Sequence, residues 1–304
     1  MSTLDSRAGL ARANGIDLYY EDVGPVTAPA VLLIMGLGAQ HIYWPEVLIE
    51  PLLAQGFRVV RFDNRDIGLS SKIHGVRHDP LPRAFVGAIR GRRVRAPYTL
   101  YDLVEDTAGL LDALGIRAAH LVGASMGGMV AQLFAALHRS RTLSLTSIMS
   151  QTLHPAIPRP RLDVLLRMAM IGRRGRAGRD GYVRQSTAMF RAIHGRGYPF
   201  PEERVAERAG RAFDRCFEPK GAERQAVAIV ATGSFEALLA RVTAPTLVVH
   251  GAVDPLVRPA GGRASARAIA GARLEIVPRM GHFLHEPLMP QLAAWIGEIA
   301  AAAR

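Results

Sequence analysis

The chain of 304 residues contains a single cysteine, Cys216, and therefore cannot form an internal disulfide bond. One free thiol is typical of a protein in a reducing compartment. Residues 1–15 contain no apolar run like that of a secretory signal, and no stretch of the sequence approaches the length that a membrane span requires. We therefore expect a cytoplasmic protein with no membrane partner.

Lysine and aromatic residues are also scarce. Lys72 and Lys220 are the only lysines, so arginine supplies nearly all of the positive charge behind the net charge of +12. The excess of positive charge is confined to two segments. Residues 72–98 hold seven basic residues and one acidic residue, and residues 151–240 hold sixteen basic and nine acidic residues. We interpret both segments as solvated surface, with a binding patch for acidic ligands as the alternative. Since aromatic residues make up only 6% of the chain and no nucleic-acid motif is present, we expect no nucleic-acid partner.

Hydrophobic residues make up 49% of the chain, which is enough for a sizeable core. Residues 16–22 alternate as an antiparallel edge strand does. A continuous apolar run predicts a buried parallel strand at residues 30–35, and further strands are predicted at residues 58–62, 119–123, 143–149, 245–250 and 273–277. Helical patterns are found at about residues 45–55, 99–114, 126–137 and 287–302. This alternation predicts an α/β fold with a largely parallel sheet and right-handed crossovers.

Residues 150–235 interrupt the alternation. Three prolines, Pro155, Pro158 and Pro160, are followed by short amphipathic helical patterns and by no convincing strand. The sequence therefore predicts a core at residues 1–150 and 236–304, with a helical lid inserted at residues 151–235.

The motif Gly123-Ala124-Ser125-Met126-Gly127 lies where a predicted buried strand turns into a helix. Such a sharp turn strains the backbone of its central residue and leaves no room for side chains two positions before and after it. The serine hydroxyl is then exposed at a helix N-terminus, where N–H groups favour a developing negative charge. The pattern is therefore typical of a nucleophilic serine.

A serine nucleophile requires a general base and a carboxylate that orients the base. Asp254 follows the predicted strand at residues 245–250, and His282 follows the strand at residues 273–277. Open α/β sheets place their sites at these strand ends. We therefore predict Ser125, Asp254 and His282 as a catalytic triad. His285 is the competing histidine, and we expect it to begin the last helix or to pack beneath the loop.

An oxyanion hole requires two backbone N–H donors. One is predicted at Met126, directly after the nucleophile. The other is predicted at Leu37, in the loop after the first parallel strand, where Gly36 permits a close approach of the backbone.

Taken together, these motifs resemble the α/β-hydrolase superfamily along the whole chain, apart from residues 72–98 and the predicted lid. The motifs that are similar to the aclacinomycin methylesterase-like esterases lie at residues 34–36, 62–70, 98–103 and 123–128. The resemblance implies an eight-stranded, mostly parallel sheet flanked by helices, and hydrolysis of carboxylic esters without a metal or cofactor. One departure is Met35, where many relatives carry histidine.

We therefore predict a carboxylesterase that acts on a small-molecule ester through an acyl-enzyme intermediate, as a monomer or small homo-oligomer. Lactonases, carbon–carbon bond hydrolases and cofactor-free haloperoxidases use the same triad and remain alternatives, as does a ligand receptor without turnover. Ser125 argues against dehalogenases and epoxide hydrolases, which are expected to use an aspartate nucleophile.

The predicted lid also bears on the substrate. Its arginines alternate with apolar residues, so we expect the arginines to point outward or to lie at the rim of the cavity, and some apolar residues to line it. This arrangement favours neutral, apolar acyl groups of short to medium length. The apolar residues are Leu162, Leu165, Leu166, Met168, Met170, Ile171, Phe235, Leu238 and Leu239.

Overall fold

A computed structural model describes residues 6–173 and 178–303 of the chain. Within these residues one sheet contains eight strands in the order β1-β2-β4-β3-β5-β6-β7-β8. The pairs β1–β2 and β2–β4 are antiparallel, and all other neighbours are parallel. The predicted α/β fold with an eight-stranded, mostly parallel sheet is therefore confirmed. The strands are β1 Ser6–Ala13, β2 Ile16–Val23, β3 Ala30–Ile34, β4 Arg58–Phe62, β5 Ala119–Ala124, β6 Thr142–Ile148, β7 Thr246–Gly251 and β8 Arg273–Val277.

Strand β1 was not among the predicted strands. Its sequence of small residues and arginines lacks the β-branched residues that favour strands, and its first half is exposed or half-buried. It forms because it pairs with β2 along its whole length. The connecting residues Asn14 and Gly15 both have positive φ, 47° and 77°, as the tightest hairpin turns require. This Asn-Gly pair is the sequence signal that could have located the strand.

Helices cover both faces of the sheet. Leu48 and Leu52 of α1 pack with Leu292 and Ile296 of α10 on one face. Helices α3 and α4 bury their apolar side chains on the other face. The helices of this core are α1 Glu46–Ala54, α3 Leu100–Ala113, α4 Met126–Leu137, α9 Pro259–Ala268 and α10 Met289–Ala301, with short 3₁₀ helices at His41–Tyr43, Arg139–Arg141, Glu236–Arg241 and Glu286–Leu288. The predicted capping box opens α3, because the Thr99 N–H donates to the Asp102 carboxylate at 2.8 Å.

Four helices lie between β6 and β7, where the sequence predicts the lid. These inserted helices are α5 Leu162–Arg173, α6 Gly178–Ile193, α7 Glu202–Arg215 and α8 Pro219–Thr232. Each packs against a helical neighbour, α5 on α6 and α6 on α7. A further helix, α2 Leu81–Ile89, lies in the basic segment at residues 72–98 and packs against α8.

Two arginines join the inserted helices to the loop after β4. Arg224 of α8 donates two hydrogen bonds to the carboxylate of Asp66, at 2.7 and 2.9 Å. Arg215, the last residue of α7, lies 3.1 Å from the carboxylate of Asp63. Both aspartates are fully buried. Removing one partner of such a buried pair typically costs about 3–5 kcal/mol, so these contacts hold α7 and α8 against the core.

Candidate active site

Ser125 connects β5 to α4 in a strained conformation, with φ 55° and ψ −117°. Non-glycine residues rarely adopt positive φ, and such strain persists only where the surrounding packing imposes it. A Cβ on Gly123 would lie 2.2 Å from the carbonyl oxygen of Gly127, and a Cβ on Gly127 would lie 2.0 Å from that of Ile34. The turn therefore requires glycine at both positions, as the sequence motif indicates.

The loops after β7 and β8 bring the other two predicted residues to Ser125. Nε2 of His282 lies 3.0 Å from Ser125 Oγ, and Nδ1 of the same ring lies 2.8 Å from Asp254 Oδ2. The second carboxylate oxygen of Asp254 accepts hydrogen bonds from the N–H groups of Leu256 and Val257, each at 2.9 Å. The three side chains thus form a continuous chain of hydrogen bonds from carboxylate to hydroxyl.

His250 is a neighbour of Asp254 that the sequence motifs did not reveal. Its Nε2 donates to the carbonyl oxygen of Val257 at 2.9 Å and lies 3.6 Å from the Asp254 carboxylate. Burial lowers the pKa of His250, which therefore remains neutral beside the carboxylate. Its place four residues before Asp254, inside a buried strand, is the signal that could have identified it.

The predicted oxyanion donors lie in two segments that meet at the serine. A Cβ on Gly36 would lie 3.2 Å from Ser125 Cβ, so the loop containing Leu37 approaches the nucleophile closely. Among the described residues, no hydrogen-bond acceptor pairs with the N–H of Leu37 or of Met126. Both donors are therefore available to a ligand. The side chain of Met126 is buried in the core.

Comparison with known proteins shows the family. Residues 29–287 match the family model described as the alpha/beta hydrolase fold. The chain belongs to this family. Rhodomycin D methylesterase DauP of Streptomyces sp. (strain C5) is 31% identical over 308 residues, covering 92% of this chain and 94% of the relative. Rhodomycin D methylesterase DnrP of Streptomyces peucetius is 30% identical over 307 residues, with the same coverage.

The crystal structure of the enol-lactonase from Burkholderia xenovorans LB400 has the same fold, with a TM-score of 0.70 and 24% identity over 96% of this chain and 98% of that one. The methylesterase relatives confirm the predicted resemblance to the aclacinomycin methylesterase-like esterases. Family and relatives together make this α/β hydrolase an esterase-type hydrolase.

A cavity of about 200 Å³ opens at Ser125 and His282 of this hydrolase. Its walls are mostly apolar, with side chains from the core loops and the inserted helices, among them Leu37, Met168, Met189, Phe190, Ile193 and Leu256. A second cavity of about 270 Å³ shares Leu37, Met168 and Phe190 with the first and continues toward Tyr182 and Phe217. Ligands larger than the first cavity can therefore extend between the inserted helices and the loop at Leu37.

The inserted helices differ in one respect from the sequence prediction. Met168 does line the cavity, but Leu162, Leu165, Leu166 and Met170 of the same helix are exposed. Arg208 of α7 is the arginine that lies among the residues lining the cavity. The carboxylate of Glu286 is 3.8 Å from this guanidinium, and burial lowers the pKa of Arg208. Helical periodicity could not show which side of α5 or α7 faces the core.

Within residues 6–173 and 178–303, no group of three or more histidine, cysteine, aspartate or glutamate side chains is arranged to hold a metal ion. In the same part of the chain, no helix is long and apolar enough to cross a membrane.

His285 lies among aromatic rings, at 5.3 Å from His194, 4.5 Å from Tyr198 and 5.2 Å from Phe283 between ring centroids. Its Nε2 is buried and has no hydrogen-bond partner among the described residues. Burial, together with the neighbouring His194, lowers the pKa of His285 to about 4. The residue precedes the 3₁₀ helix at Glu286–Leu288, in line with its predicted packing role.

This pKa predicts a dependence of stability on pH. Between pH 6.5, the usual pKa of histidine, and about pH 4, the unfolded chain binds a proton at His285 that the folded protein does not. The contribution of neutral His285 to the free energy of unfolding is therefore complete above pH 6.5 and is lost as the pH falls toward 4. His285→Phe should lose less stability between pH 7.5 and 5 than the wild type in urea unfolding. His74 is exposed, and His74→Gln is the control. An equal loss of unfolding free energy in His285→Phe and the wild type would contradict the lowered pKa of His285.

Proposed function

We propose that this hydrolase cleaves carboxylic esters of small molecules through an acyl-enzyme intermediate formed on Ser125. The observation that carries the proposal is the hydrogen-bonded series from Asp254 through His282 to Ser125, with distances of 2.8 and 3.0 Å. A serine hydroxyl within reach of a histidine that a carboxylate orients is the arrangement required for nucleophilic attack near neutral pH.

In the proposed acylation, Ser125 Oγ attacks the ester carbonyl carbon while Nε2 of His282 takes the hydroxyl proton. Asp254 accepts the hydrogen bond from Nδ1–H, which fixes the tautomer of the ring and stabilises its charged form. The N–H groups of Leu37 and Met126 donate to the oxyanion of the tetrahedral intermediate. His282 then gives its proton to the departing alcohol, whose bond to the acyl carbon breaks.

Deacylation repeats these steps with water. His282 takes a proton from a water molecule that attacks the acyl carbon, and the resulting oxyanion again accepts hydrogen bonds from Leu37 and Met126. Collapse of this intermediate returns the proton to Ser125 Oγ and releases the carboxylic acid. The resting hydrogen bonds are then restored.

The substrate is proposed to carry an apolar acyl group of short to medium length. The cavity of about 200 Å³ has mostly apolar walls and is smaller than the roughly 300–1,000 Å³ typical of ligand pockets. The relatives named rhodomycin D methylesterases support cleavage of an ester bond. We further propose that the inserted helices act as a lid, that the protein is a monomer or small homo-oligomer, and that it has no nucleic-acid partner.

The first prediction concerns the proposed triad. Ser125→Ala and His282→Ala should each lower ester turnover by about 10⁴-fold or more, because nucleophile and base act as one unit. Steady-state hydrolysis of p-nitrophenyl butyrate and the melting temperature should be measured together. The matched control is His285→Gln, which should retain turnover. Full activity of Ser125→Ala would refute the proposal, and activity lost only in the His285 variant would show that the base is misassigned.

The second prediction concerns the acyl group. Across p-nitrophenyl esters from acetate to palmitate, kcat/KM should be highest for neutral chains of short to medium length, because the apolar cavity is small. A hemisuccinate ester provides the anionic comparison at low and high salt.

Arg208 is the residue through which a preference for an anionic acyl group would act, since it lies in the cavity wall. Arg208→Met keeps an unbranched apolar side chain and removes the charge, and we expect it to change the ratio of butyrate to hemisuccinate hydrolysis only slightly. A hemisuccinate preference that high salt and Arg208→Met both abolish would contradict the proposed neutral substrate.

A further inference from the structure

The loop that carries the predicted oxyanion donor is attached to an inserted helix. The Gly38 N–H donates to Oε1 of Gln225 at 2.8 Å, and Nε2 of Gln225 donates to the carbonyl oxygen of Arg65 at 2.9 Å. The Gln225 side chain is fully buried. One side chain of α8 thus links the loop after β3 to the loop after β4.

Helix α8 packs closely against both of these loops. Gly38 has φ +72°, and a Cβ at this position would lie 3.1 Å from Cβ of Ala222 on α8. A Cβ on Gly221 would lie 2.1 Å from the carbonyl oxygen of Asp66, so the helix backbone lies directly on the loop after β4. Gly221 and Ala222 lie on the same side of α8 as Gln225, since they precede it by four and three positions.

Helix α8 is itself held in place by charge. Arg224 makes two hydrogen bonds to the buried carboxylate of Asp66, which also accepts a hydrogen bond from the Tyr98 hydroxyl at 2.5 Å. Because Arg224 and Gln225 are adjacent, the charged contact fixes the point of the helix from which Gln225 reaches Gly38. The geometry of the loop therefore depends on the seating of α8.

Leu37 lies between two constrained glycines. On one side Gly36 is in close contact with Ser125, and on the other side Gly38 is hydrogen-bonded to Gln225. We propose that Gln225 is a positioning residue for the oxyanion hole, and that it aims the Leu37 N–H by holding the Gly38 N–H. This inference rests on the proposed function. It implies that α8 belongs to the fixed part of the catalytic site.

Gln225→Met tests the inference, because methionine has nearly the same shape and cannot accept the Gly38 hydrogen bond. A misplaced oxyanion donor should lower kcat by about 10-fold to 100-fold and change KM by less than about threefold, since the donor acts mainly in the transition state. A trifluoromethyl ketone, which forms a tetrahedral oxyanion adduct with the serine, should bind more weakly by the factor by which kcat/KM falls. Affinity for the carboxylic acid product should change little.

The matched control is Thr232→Val. Thr232 lies on the same helix and accepts a hydrogen bond from the Leu100 N–H at 2.9 Å, so its removal breaks a contact between α8 and the core without touching residues 36–38. Equal losses of kcat and of ketone affinity in the Gln225 and Thr232 variants would overturn the inference, as would wild-type values in Gln225→Met. If Gln225→Met does not fold, Gln225→Ala takes its place, and wild-type kcat in that variant also overturns it.

The wild type and Ser125→Ala are assayed in the same series. Without turnover in the wild type, or with full turnover in Ser125→Ala, the proposed function itself fails. With both as expected, the Gln225 variants alone decide the positioning role.

Discussion

The site depends on the close approach of two backbone segments, the loop after β3 and the turn from β5 into α4 that contains Ser125. Gly127 at the start of α4 lies against the carbonyl oxygen of Ile34, and Gly36 lies against Ser125 itself. This contact imposes the positive φ of the serine and brings the loop after β3 next to the N-terminus of α4. The proposed nucleophile and the proposed oxyanion donors are therefore positioned by one packing constraint, and a single added methyl group at Gly127 would separate them.

The loop after β4 stabilises this close approach through contacts with the neighbouring segments. Each of its four consecutive polar side chains is buried and has a partner: Asp63 pairs with Arg215, Asn64 donates to the Met35 carbonyl oxygen at 2.9 Å, Arg65 pairs with Asp106, and Asp66 pairs with Arg224. The contact from Asn64 supports the oxyanion loop at the position where many relatives carry histidine. This motif, which contributed to the family resemblance, therefore joins the β3 loop, α3 and the inserted helices.

A second charged network lies beside the same loop. His41 contacts Glu21 at 3.0 Å and Asp63 at 2.9 Å, and these two carboxylates raise the pKa of His41 although its burial acts against this. The hydrogen bond from His41 in turn lowers the pKa of Glu21 to about 2. The charged groups His41, Glu21 and Asp63 are thus paired with each other. Arg208 lies in the cavity wall, and its carboxylate partner Glu286 is 3.8 Å away, farther than either carboxylate is from His41.

By itself the sequence determined the class of fold, seven of the eight strands and the three residues, Ser125, Asp254 and His282, whose side chains form one hydrogen-bonded series. Those features depend on local patterns: buried apolar runs, glycines at a forced turn, and polar residues directly after strands. Only the tertiary structure decided which residues of the inserted helices are exposed and which contact the cavity or the core, because amphipathic periodicity does not show which side of a helix meets the core. Four apolar residues of α5 are exposed, Arg208 faces the cavity, and Gln225 reaches Gly38 across 187 positions of sequence. A hydrogen bond between residues so far apart has no local signature, since it depends on where two separate elements are packed.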